Sequence, residues 1–257
     1  MDIMDIYYIV VMFIFGTVFG SFYNVVGYRL PKGESLVHPS SHCPNCGHKL
    51  RPYELVPILS FLFLGGKCSK CKQKISWFYT IFEFLTGVLF AISYIVFKDN
   101  IPNLIISLTF VSMLVIICVS DFEFMIISDS VLVVFGIALL IEFAIFNGLD
   151  VWKNVINGCL SFGSMFLIKM LGDFLFKKES MGGGDIKLML IIGMVLGWAN
   201  AMCSIFVGSI IGLPIALIIL YNNKDHELPF GPLLAFGALF LFFTQFSIND
   251  LIILLSK

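Results

Sequence analysis

Charge is scarce in this chain. Asp, Glu, Lys and Arg make up 13% of its 257 residues, against about 25% in a soluble globular domain, while apolar residues reach 59%. That imbalance excludes a soluble enzyme and places the chain in a bilayer. Polar residues gather in one stretch, Gly27 to Ser76, and leave no room for a second soluble domain. The beginning lacks the basic region of a secretory signal: Asp2 and Asp5 stand there, and no small-residue cleavage site follows, so the first apolar run is expected to stay as a helix. No internal repeat or low-complexity tract is present. No Gly-rich nucleotide fingerprint follows a strand, so the residues themselves specify no nucleotide fold.

What the chain does have is a succession of apolar runs near the length of about 20 residues that crosses hydrocarbon. The spans are expected at Met4 to Val26, Trp77 to Phe97, Pro102 to Ser120, Ser130 to Phe146, Val155 to Leu171, Ile186 to Trp198, Met202 to Tyr221 and Leu233 to Leu254. The sixth is short, and is expected to be tilted, partly buried in protein or joined to part of the seventh. Lys98-Asp99-Asn100, Asn147-Gly148 and Ala199-Asn200 are short enough for tight turns. The reading is an all-α polytopic membrane protein of about eight helices in three parts: a first helix over 1–26, a cysteine-rich loop over 27–76 and a multi-helix membrane region over 77–257.

Loop cations are retained on the cytoplasmic side of a membrane. Eight of the 16 lie in the 27–76 loop: Arg29, Lys32, Lys49, Arg51, Lys67, Lys70, Lys72 and Lys74. Lys169, Lys177, Lys178 and Lys187 surround a second loop and Lys224 a third, while Lys98, Lys153 and Lys257 fall opposite. Eight crossings then put both termini outside and the long loops at the cytoplasmic face.

Two C-x-x-C pairs, Cys43-Pro-Asn-Cys46 and Cys68-Ser-Lys-Cys71, stand 21 residues apart, close to the spacing of a four-thiolate zinc site. Gly47 follows one pair and Gly65-Gly66 precedes the other, so the thiolates can converge as in a zinc ribbon. Four cysteines would close the coordination sphere, making the metal structural. Ligation would then supply much of the folding free energy of a loop too small for its own core. Disulfides are the alternative, disfavoured in a reducing cytoplasm. His42 and His48 are either substitute ligands or solvated neighbours. Cys118, Cys159 and Cys203 lie singly in apolar spans as small hydrophobes.

Ionisable residues inside or at the edge of apolar spans are costly, and each raises a functional question. Asp121 ends the third span, Glu123 and Asp129 follow, and Asp185 closes Gly182-Gly183-Gly184-Asp185 at the start of the sixth. Two carboxylates held close share one proton, so one can activate water while the other donates to a substrate carbonyl. Successive glycines allow close backbone approach and leave amide hydrogens near a developing oxyanion. Each acid also has an ordinary reading. Asp185 is equally a helix cap, and Glu123 and Asp129 are equally solvated interfacial acids.

These residues resemble the bacterial prepilin leader peptidase family, which processes type 4 pilins, type 2 secretion pseudopilins and competence pseudopilins. Gly20-Ser21-Phe22-Tyr23-Asn24-Val25-Val26-Gly27-Tyr28-Arg29-Leu30-Pro31 is similar to the family's G-S-F-x-N-V-x-x-x-R-L-P segment. Tyr53 to Ser60, Ile75-Ser76, Tyr79 and Glu83 resemble its pattern around the second cysteine pair. Asp121 and Asp185 match its two catalytic aspartates, Asp129 its nearby third acid, and Pro229-Phe230-Gly231-Pro232 its P-F-G-P motif, which also reads as a helix start. Ser128 stands where the family pattern carries proline.

The resemblance implies an aspartyl peptidase with Gly182, Gly184 and Lys187 in support of the two acids. It further implies cleavage after the glycine that ends a short basic leader, then methylation of the new amine from S-adenosylmethionine. Glu54 is a candidate for methyl transfer, or else a partner of Arg51. The implied partners are pilin-like precursors and the lipid bilayer, with no nucleic acid, in the bacterial cytoplasmic membrane. Two other readings stay open from the residues: a transporter using Asp121, Glu123, Asp129 and Asp185 as a cation route, and a zinc-bearing membrane scaffold.

Overall fold

A computed structural model describes residues 2–178, 181–222 and 229–245. The long helices are α1 (Ile3–Arg29), α3 (Trp77–Phe97), α4 (Ile101–Phe124), α5 (Asp129–Asn147), α6 (Val151–Phe176), α7 (Gly183–Leu196), α8 (Trp198–Asn222) and α9 (Gly231–Thr244), with a five-residue α2 (Leu59–Phe63) in the cysteine-rich loop. The first five expected spans and the seventh each fall on one of these helices, the sixth covers most of α7 and reaches the first residue of α8, and among the described residues no strand forms beyond two isolated bridges in that loop. The end of the eighth expected span, Lys224 and Lys257 lie outside the described residues. Ile3–Arg29, Trp77–Phe97, Ile101–Phe124 and the combined Asp129–Phe176 are long and apolar enough to cross a membrane, while Trp198–Pro214 and Gly231–Thr244 are shorter apolar stretches.

Boundaries moved where local chemistry overrode hydropathy. The break expected at Ala199-Asn200 falls instead at Gly197, whose φ of +83° ends α7 in a conformation that a side chain would strain. The short sixth span is therefore a separate helix, not joined to the seventh. Asp121, expected at the end of the third span, lies in the last turn of α4, which runs on to Phe124.

The chain groups into two compact units, Met1–Glu123 and Phe124–Lys257. In the first, α1 and α3 run antiparallel, fastened at one end by Lys98, whose ammonium donates to both carboxylate oxygens of Asp5 at 3.0 and 2.9 Å. Between them the backbones approach closely at small residues, as helices do in lipid. A Cβ on Gly16 would lie 2.7 Å from the Thr86 carbonyl oxygen, and one on Gly20 would lie 2.9 Å from the Glu83 Cα. The Asn24 amide donates to the Tyr79 carbonyl at 3.0 Å, and α4 joins through the Tyr23 hydroxyl, which donates to Ser112 Oγ at 2.6 Å. Gly20, Tyr23 and Asn24 of the G-S-F-x-N stretch thus belong to the contact face of α1, while Phe22 is exposed.

In the second unit, α6 and α7 pack through Gly158 and Gly193, and α8 and α9 through Gly208 and Gly237. Outward helix faces carry many exposed apolar side chains, Phe174 and Phe206 among them, as expected for helices solvated by lipid.

Candidate active site and metal centre

The cysteine-rich loop folds into two matching knuckles. In the first, the Cys43 amide donates to the His48 carbonyl and the Gly47 amide to the Cys43 carbonyl, both at 2.9 Å; in the second, the Cys68 amide donates to the Gln73 carbonyl at 2.9 Å and the Lys72 amide to the Cys68 carbonyl at 3.0 Å. Gly47 and Lys72 occupy equivalent positions with φ of +67° and +59°. Each turn swings its two sulfurs inward, and all four lie within 4.8 Å of one another. Cys43 and Cys71 are 3.8 Å apart and Cys46 and Cys68 4.0 Å. A tetrahedral ion with metal–sulfur bonds of about 2.3 Å would need about 3.8 Å, whereas a disulfide needs about 2.05 Å. The donor set fits a metal ion, and all four cysteines are free thiols.

Backbone amides favour the thiolates. The Gln73 amide is the main influence on Cys71, whose pKa falls to about 6, and the Cys71 and Lys70 amides lower that of Cys68. At Cys46 the His48 amide pulls the same way, but burial and the three neighbouring sulfurs outweigh it and raise the thiol to about 11.

Neither histidine joins the sulfurs. His42 Nδ1 faces the Ser40 carbonyl at 2.9 Å, and His48 Nε2 faces Glu54 Oε2 at 3.3 Å. The Glu54 carboxyl is buried and accepts from the Arg51 amide at 2.7 Å, so its partner is the Arg51 backbone and not the guanidinium. The Ser69 hydroxyl, the Arg51 amide and His48 hold its carboxylate below the usual range, while Oε1 has no hydrogen bond. Glu54 therefore ties the first knuckle to the turn that follows it. Glu83, which the sequence marks only by resemblance, has a defined structural role. Its Oε2 accepts from the Ile58 amide at 2.8 Å and pins the loop to α3. An acid within an apolar run was the sequence signal for it.

Asp121 and Asp185 are both buried, 5% and 7% exposed, each at a helix end. Asp121 lies in the last turn of α4 and Asp185 in the first turn of α7, where Gly182 is the N-cap. A Cβ on Gly182 would lie 3.2 Å from Asp185 Oδ2, so the carboxylate folds back over the helix start. Asp129 opens α5 and receives Lys187. Ser128, in the place of the pattern's proline, has φ of −70°, the value a proline ring imposes, so the turn into α5 keeps that geometry. Gly231 and Pro232 start α9, as a helix-start reading of Pro229 to Pro232 anticipates. Glu123 is exposed.

Apolar helices, a four-cysteine loop and buried acids at helix ends define a membrane-embedded protein that carries a candidate metal centre. Comparison with known proteins makes the class specific. Residues 14–97 match the Bacterial Peptidase A24 N-terminal domain, and residues 108–217 match the Type IV leader peptidase family. A prepilin leader peptidase/N-methyltransferase of Bacillus subtilis is 38% identical over 89% of this chain and 91% of its own length. Relatives with the same description from Neisseria gonorrhoeae and Pseudomonas aeruginosa are each 31% identical, over 89% and 87% of this chain and 88% and 86% of their own. This chain belongs to the type IV leader peptidase family. No solved structure matches it. Family membership favours the peptidase over the transporter and the scaffold.

Proposed function

We propose that this protein cuts the leader from a type 4 pilin-like precursor at the cytoplasmic face of the inner membrane, with Asp121 and Asp185 as the reacting acids, and then methylates the new amine. The observation that carries the reading is the placement of two buried carboxyl groups at helix ends in a chain where charge is scarce. Such groups persist in an apolar setting only for a purpose. Asp185 at the positive end of α7 is suited to be the ionised base, and Asp121 at the negative end of α4 to carry the proton. Asp185 would take a proton from water as its oxygen attacks the scissile carbonyl. Asp121 would give its proton to the carbonyl oxygen. Collapse of the tetrahedral adduct returns that proton to Asp121, while the proton on Asp185 leaves with the amine.

Zinc is the ion the four thiolates suit, with the role of holding the loop. S-adenosylmethionine would supply the methyl group. Glu54, with its carboxylate committed to Arg51 and His48, would support methyl transfer through the shape of the loop. The concentration of Lys and Arg in the 27–76 loop supports a cytoplasmic position for it. The test is to incubate the purified protein with a pseudopilin precursor from the same genome and S-adenosylmethionine, then analyse the product's amino terminus. The expected product begins after the glycine that closes the basic leader and carries one added methyl group. An uncut precursor, together with acid-dependent ion flux in vesicles, would overturn the reading.

A further inference from the structure

Both ends of α7 are held, by different supports. Towards its C-terminus it packs on α6 at Gly193, where an added Cβ would meet the Ser161 side chain, and the Asn154 amide donates to the Met194 carbonyl at 2.8 Å. Its first turn, which carries Asp185, instead meets residues 127–129, the segment that leads into α5. A Cβ on Gly184 would lie 2.7 Å from Ile127 Cβ, so the helix rests on Ile127 at a distance only glycine allows. One turn along, Lys187 Nζ donates to both carboxylate oxygens of Asp129 at 2.7 and 2.8 Å. Gly183 faces open space, so the run of glycines is not sterically uniform.

Helical geometry separates Lys187 from the chemistry. Two residues of α-helix turn through about 200°, which puts Lys187 on the opposite face from Asp185. Lys187 shares its face with Leu190, Ile191 and Met194 along an apolar cavity of about 410 Å³ that Asp129 also lines. Asp185 shares its face with the buried Leu188, Met189 and Ile192. Lys187 can therefore act on Asp185 only through the helix that carries both. The two side chains are 52% and 64% exposed, so the pair acts through the geometry it fixes more than through its own strength. Asp129 is further favoured by its place in the first turn of α5.

We propose that residues 127–129 form a positioning platform for Asp185: contact with Ile127 sets the height of the first turn of α7, and the Asp129–Lys187 pair sets its rotation. The inference rests on Asp185 being a reacting acid. Neither Asp129 nor Lys187 is a catalytic residue in this account; both are positioning residues.

The test is a kinetic double-mutant cycle on the full-length protein with a pseudopilin precursor from the same genome. Lys187→Met and Asp129→Asn are each expected to lower kcat about tenfold or more with KM within about twofold, since small misplacement of a reacting group is costly. The double variant should be no slower than the slower single variant, because both remove one interaction. Lys187→Arg should retain most of the rate. Melting temperatures are measured alongside, with Lys187→Gln substituted if Lys187→Met melts early. Wild-type kcat in Lys187→Met and its replacement, or losses that multiply in the double variant, overturns the platform. Asp185→Asn in the same assay separates the two ideas: if it is inactive while Lys187→Met is normal, only the platform fails; if it is active, the role of Asp185 and the platform fail together.

Discussion

Gly20 of α1 stands against Thr86 of α3 so closely that a Cβ at residue 20 would lie 2.9 Å from the Thr86 hydroxyl oxygen. The most specific run of residues in the chain is therefore first a packing surface, and its chemistry follows from where it holds α3. Replacing Gly20 with Leu is expected to force the two helices apart at a cost of about 1–3 kcal/mol, the usual range for overpacking. A lower melting temperature in detergent with unaltered metal content checks this. An unchanged melting temperature would mean the helices are free to separate at that point.

The four sulfurs define a second expectation. The purified protein should carry one tightly held metal ion per chain, and Cys43→Ser should lose it. Chelation should speed limited proteolysis within residues 27–76 many-fold, while residual processing continues, because a closed four-thiolate site has no position for substrate. Elemental analysis and a protease time course read both. Two disulfides seen by mass in freshly isolated protein would contradict the assignment.

Glu54 offers a finer probe of the same loop. Glu54→Ala removes the acceptor of the Arg51 amide and the partner of His48, leaving a part-buried amide without its bond. The expected result is several-fold faster proteolysis of the loop with the metal still bound. If methyl transfer also falls while cleavage persists, the loop's shape serves the second reaction. Unchanged proteolysis would show that Glu54 does not brace the knuckle.

Much of this was legible in the residues, for identifiable reasons. Apolar runs set the helices because an unpaired backbone in lipid is intolerable, so hydropathy alone located the long helices. The cysteine spacing located the knuckles because two short turns can place four thiols together only in a few ways. Hydropathy could not show that α7 ends at Gly197, since Trp198 is as apolar as the helix before it, and the break depends on a positive φ. It also could not show that α4 runs on to Phe124, because a helix continues past the edge of its apolar run when its backbone bonds are satisfied. Pairings such as Asp129 with Lys187 and Glu83 with Ile58 join residues distant in sequence, and only the packing of the elements reveals them.

The central claim is that Asp121 and Asp185 act together on one peptide bond. The most direct measurement is conversion of a prepilin-like precursor by Asp121→Asn and Asp185→Asn, each folded and metal-loaded like the wild type. The account predicts a loss of about a thousandfold or more in either variant and little further loss in the double, as for residues that act as a unit. Near wild-type conversion by either single variant would contradict it.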